Sequence, residues 1–83
     1  MGDKNTLVLV KLWDGMWASE NPEKEGLSVR IGYVDKNVGY RVHARIQTNI
    51  GYEESEEFFP SFVTAVDDLR KYLTKRNITL KIV

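Results

Sequence analysis

The stretch Arg41-Val42-His43-Ala44-Arg45 sets two arginines and a histidine at alternate positions. In extended backbone, side chains two residues apart share a face, so Arg41, His43 and Arg45 point the same way. Arg30 lies at the matching parity of the preceding extended stretch. The chemistry such a group offers is anion contact, because each guanidinium presents a planar fork that fits a phosphate or a carboxylate. The bland alternative is the solvated, charged face of an edge strand, which needs no ligand to be useful. His43 has arginines on either side and no carboxylate near it in sequence, so it reads as a surface histidine and not as a general base.

A second group is Trp13, Met16 and Trp17. Aromatic side chains desolvated at the centre of an interface carry much of its binding energy, and these are the residue types that do so. Their alternative role is a lid over a small core. The acidic run Glu53-Glu54-Ser55-Glu56-Glu57 has neither the alternating Asp/Asn pattern nor the central glycine of a calcium loop, so it is expected to be solvated charge. Asp67 and Asp68 are adjacent, fall on different sides of a helix and make a poor catalytic dyad.

Composition removes most enzymatic chemistry. With no cysteine and one histidine, disulfide frameworks, thiolate nucleophiles and Cys/His zinc sites lack their parts, and a Ser-His-Asp triad is poorly stocked. There is no P-loop, dinucleotide fingerprint, HExxH or GxSxG. No catalytic, cofactor-binding or metal-ligating residue is therefore expected, and the protein is read as a non-enzyme. Twelve basic and twelve acidic residues cancel, so no whole-molecule field draws in a polyanion. The charge is nevertheless sorted along the chain: residues 14–26 sum to −3, 27–52 to +3, 53–57 to −4 and 58–83 to +3.

The elements that must position these residues follow from periodicity. Residues 6–13 alternate with both faces apolar except at Lys11, which suits an interior strand. Residues 14–26, with turn signals at both ends and Pro22 inside, read as one long connection that carries Met16 and Trp17 over the sheet. Residues 27–33 and 40–50 alternate with period two around Asp35-Lys36-Asn37 and make a hairpin in which Tyr33 should face Tyr40. A helix is expected to begin near Pro60, with the acidic run just ahead of its positive end and Phe62, Val63, Val66, Leu69 and Leu73 on its buried stripe. Asn77 suits a left-handed stop, and residues 78–83 alternate as a last strand.

The expected fold is a single α+β domain over residues 1–83, of order β-β-β-α-β. A right-handed crossover lays the last strand parallel beside the first, which gives a four-stranded mixed sheet of spatial order 3-2-1-4 with one helix on one face. The strand of residues 40–50 then lies on an edge, and the other sheet face stays open. A domain of 83 residues buries only about 60–65% of its unfolded surface, so a partner or a second copy would add stability.

The function this implies is a small non-catalytic binding module that regulates or inhibits a macromolecular partner. A protein is the leading partner, held by the open face and the 14–26 loop, with Trp13, Met16, Trp17, Arg30, Arg41, His43 and Arg45 as contacts. Small inhibitors and adaptors of the kind that mobile elements encode have this size. The first alternative is single-stranded DNA or RNA binding along the basic strand 40–50, although Tyr33 and Tyr40 alternate to the buried side, where bases cannot stack on them. The second is a homodimeric structural protein. No apolar run approaches the roughly 18–20 residues that span a bilayer, and the first residues lack the apolar core of a secretory signal, so a soluble cytoplasmic protein without membrane attachment is expected.

Overall fold

The computed structural model describes residues 6–20 and 26–83. Its elements are β1 (Thr6–Trp13), β2 (Met16–Ser19), β3 (Leu27–Asp35), β4 (Gly39–Thr48), β5 (Gly51–Phe59), α1 (Phe62–Thr74) and β6 (Thr79–Ile82). They form one six-stranded sheet of order β5-β4-β3-β2-β1-β6, with β6 parallel to β1 and the other neighbours antiparallel. The α+β class and the single helix match the expectation, but the sheet has six strands, not four. The four expected strands keep their relative order, yet β2 separates β3 from β1 and β5 lies outside β4.

The first added strand comes from the segment read as a loop. Asp14-Gly15 is a two-residue turn, with Gly15 at φ 87°, and it sends the chain straight back along β1. Lys11 and Asp14 form an ion pair of 3.0 Å across it, and the Tyr33 N–H donates to the Gly15 carbonyl at 2.7 Å. Residues 14–26 are therefore not one open connection; residues 21–25 of it lie outside the described residues. Where the β2–β3 ladder ends, the buried Ser19 Oγ accepts from the Val29 N–H at 3.2 Å, so that amide is satisfied without a strand partner.

The second added strand is the acidic run. Glutamate is a poor strand former, but β5 pairs with β4 along its whole length, from Thr48↔Gly51 to Tyr40↔Phe59. Opposite charges across the pair offset the low propensity. The strand of residues 40–50 is consequently interior, and the edges are β5 and β6.

Between β5 and α1 the chain turns at Pro60, and the helix cap is Ser61. Its Oγ accepts from the Thr64 N–H at 3.2 Å, while the Ser61 N–H donates to Thr64 Oγ1 at 3.3 Å. Pro60 thus precedes the helix instead of lying in its first turn, and the glutamates expected to be solvated charge ahead of it are strand β5. The buried stripe is Ala65, Val66, Leu69 and Leu73, with Phe62 packed at its edge. Val63 is 66% exposed, so it is not part of the stripe; two positions further on, Ala65 takes the inward place. Asn77 at φ 61° ends the helix as expected. The Ile78 N–H reaches the Leu73 carbonyl at 2.9 Å and the Asn77 N–H reaches that of Thr74 at 3.0 Å, which is a Schellman closure.

One hydrophobic cluster lies between α1 and one face of the sheet. It joins Leu7 and Leu9 of β1, Leu27, Val29 and Ile31 of β3, Val42 and Ala44 of β4, and Leu80 of β6 to the helix stripe. Gly39 is held against this layer's end: at φ 96°, a Cβ there would sit 2.1 Å from the Phe59 carbonyl oxygen, so only glycine fits between β4 and β5.

Candidate functional site

Strand parity fixes what the other face displays. Because Ile31, Val42 and Leu9 face the helix, their sequence neighbours face away. The register across the sheet then builds two rows on this open face. One runs Trp13, Met16, Gly32, Arg41, Phe58, and the next runs Val10, Ala18, Arg30, His43, Glu56. Ser28, Arg45 and Glu54 form a third row at β3 to β5. Among the described residues, no element lies across this face.

The face divides into two chemistries. On β4 and β5, basic side chains meet carboxylates: Arg41 Nη1 is 3.4 Å from Glu56 Oε2, His43 Nε2 is 3.2 Å from Glu54 Oε1, and Arg45 Nε is 3.8 Å from Glu54 Oε2. The last distance is a Coulombic contact without a hydrogen bond, and Arg45 Nε has no hydrogen-bond partner among the described residues. Its guanidinium lies 3.8 Å from the Tyr52 ring centroid, a stacked cation–π arrangement. Arg30 is exposed and enters no ion pair among the described residues.

Toward β1 and the turn ends, the face is apolar. Trp13 is 64% exposed, Leu12 50% and Val34 46%, whereas the 52% exposed Phe58 lies apart from them on β5, beside Arg41. Val8, Val10, Met16 and Ala18 fill the adjoining β1 and β2 surface, half-buried. Gly32 supplies a low point in that surface: a Cβ there would meet Met16 Sδ at 3.2 Å, so the thioether lies over the glycine. Large apolar side chains grouped at one end of an open sheet face make a surface suited to another protein.

Six of the seven expected contacts, Trp13, Met16, Arg30, Arg41, His43 and Arg45, thus lie on the open face. Trp17 does not. The turn at Asp14-Gly15 sets its parity to the helix side, where its ring is 4.3 Å from Phe62 and 6.5 Å from Tyr40 by centroid. There it helps to cover the core. Tyr33 and Tyr40 are also on the helix side and pair edge-on at 5.4 Å, as expected. Glu54, Glu56 and Phe58 belong to the open face but were absent from the sequence reading of it, which placed them ahead of the helix. The signal for them was the turn-forming Asn49-Ile50-Gly51 after a long strand.

On the helix side of β5, a groove of about 320 Å³ separates that strand from α1. Val42 and Leu69 form its floor. At its mouth, the negative charge of Asp68, a hydrogen bond that the protonated Glu57 carboxyl donates to it and slight burial hold the Glu57 carboxyl above the ordinary glutamate value. No group of three or more His, Cys, Asp or Glu residues with metal-binding geometry occurs among the described residues, and no helix is long and apolar enough to cross a membrane. Compared with known proteins, the chain matches no family model, no curated protein and no solved structure.

Proposed function

We propose that the protein is a small non-catalytic cytoplasmic module that binds another protein through the apolar end of its open sheet face and so regulates it. The observation that carries this reading is the grouping of Trp13, Leu12 and Val34, each about half exposed or more, around the Asp14-Gly15 turn at one end of a sheet face. Trp13 is the anchor, and the half-buried Met16 beside it offers a deformable floor. Arg30, exposed and in no ion pair among the described residues, orients the partner through an acidic side chain. Arg41, His43 and Arg45 are secondary contacts, because Glu54 and Glu56 already engage them. The same engagement supports a protein partner over a nucleic acid, since phosphates would have to displace those carboxylates.

The experiment is affinity capture from the native host, with and without nuclease, using the wild type and Trp13→Glu in parallel. A stoichiometric protein that survives nuclease and is lost with Trp13→Glu supports the reading. A nuclease-sensitive mixture would replace it with single-stranded nucleic-acid binding. A concentration-dependent dimer that Trp13→Glu dissociates would replace it with self-association.

A further inference from the structure

β5 closes one end of the strand order, so every second residue of its nine turns an N–H and a C=O toward no further strand. Its four glutamates are divided between the two faces. Glu54 and Glu56 meet the cations of β4, whereas Glu53 and Glu57, on the helix side, enter no ion pair among the described residues. Glu57 instead faces the like charge of Asp68 across the groove between β5 and α1.

We propose that β5 is a docking edge for an extended, basic segment of a partner protein, which adds as a seventh strand and sets a lysine or arginine against Glu57 and Asp68.

Charge and register select that occupant. A second copy of β5 is disfavoured, because pairing the strand with itself would set glutamates against glutamates. The charge that repels a copy attracts a cationic strand. In an added strand, the side chain opposite Glu57 lies about 5 Å from it and within reach of Asp68. The next side chain on that face, two residues along, lies beside Ser55 and over the Val42 and Leu69 floor, where Lys71 and Lys75 also line the groove, so an apolar group fits there and a cation does not. Side chains on the other face meet Glu54 and Glu56, which are already neutralised, and so are best polar and uncharged. The pattern is polar, basic, polar, apolar. Main-chain hydrogen bonds to β5 supply affinity, and the alternate side chains supply selectivity. This site is on a different part of the surface from Trp13 and does not depend on the reading given above.

The test uses the full chain and the capped peptide Thr-Lys-Thr-Val-Thr-Lys-Thr, followed by amide chemical shifts. The expected result is saturable shift changes confined to residues 51–59 and the facing side of α1 around Asp68. Only alternate peptide amides face β5, so N-methylation of one alternate set should weaken binding by about tenfold or more while methylation of the other set is tolerated. Glu57→Gln combined with Asp68→Asn, both at exposed positions, should weaken binding roughly fivefold, and a peptide with glutamate for lysine should not bind. Trp13→Ala should leave binding unchanged. No change in β5 at millimolar peptide would overturn the proposal. So would equal binding of the two N-methylated peptides, which is electrostatic attraction without strand addition, or shifts centred on the open face.

Discussion

Replacing Glu54 and Glu56 by glutamine together removes the carboxylates from all three contacts to Arg41, His43 and Arg45 while keeping side-chain length. The net charge moves from 0 to +2, because twelve basic residues then face ten acidic ones. All five side chains are about one-third to one-half exposed, so each contact contributes only about 0.2–1 kcal/mol, and the pair of substitutions should cost about 1 kcal/mol in total. For a domain of this size, that is a fall in Tm of about 4–8 °C. The effect on anions should be larger. Freed of their carboxylates, the two arginines on one strand face can contact a single-stranded backbone, and the salt slope of about 0.7 per phosphate then predicts roughly a sevenfold loss of affinity between 50 and 200 mM salt. The assay is fluorescence anisotropy with a labelled oligothymidylate at both salt concentrations. Wild type should bind negligibly, and the variant should gain salt-sensitive binding. Wild type binding as tightly as the variant would refute the reasoning, because the glutamates would then not be occupying the arginines.

Trp17→Ala should destabilise the fold by about 3 kcal/mol, since its ring packs on Phe62 and Tyr40, while the exposed Trp13→Ala should cost under about 1 kcal/mol; denaturant titration of the two variants checks the contrast. Gly39→Ala should cost about 3 kcal/mol or more, seen as a Tm drop above roughly 10 °C, because its Cβ would overlap the Phe59 carbonyl at a backbone angle that disfavours alanine. Glu57 has a folded-state pKa above its ordinary value, so the folded protein holds that proton more tightly than the unfolded chain. Its ionisation therefore opposes folding as pH rises through that window. Glu57→Gln should accordingly gain stability at neutral pH, and the gain should vanish in acid once wild-type Glu57 is protonated; melts from pH 3 to 7 give the profile.

What could be read from the residues, and what could not, follows from how local each signal is. The strict alternation through residues 27–33 and 40–50 needs only one buried face, and it yields the β3–β4 hairpin and the Tyr33–Tyr40 pair directly. The helix stripe from Val66 to Leu73 and the left-handed Asn77 are equally local. β2 is not, because four residues with Trp17 and Ser19 against the core and Met16 and Ala18 on the open face show no polar alternation. The face of Trp17 depends on turn length, for a turn one residue longer would have reversed its parity. β5 is hidden for a different reason. Glutamates argue against a strand when read alone, and they become acceptable only beside the cations of β4, a pairing that exists only after folding. The open face was legible in its cationic half and its Trp13 end, but the carboxylates that neutralise the first were not placed there.

The most direct test of an accessible Trp13 on an uncovered face is acrylamide quenching of the two single-tryptophan proteins made by Trp17→Phe and Trp13→Phe. With Trp17 replaced, the remaining Trp13 should emit at long wavelength and quench nearly as freely as indole in water. With Trp13 replaced, Trp17 should emit at shorter wavelength and resist quenching. A shielded, blue-shifted Trp13 would contradict the account, since the open face would then have no exposed anchor to offer.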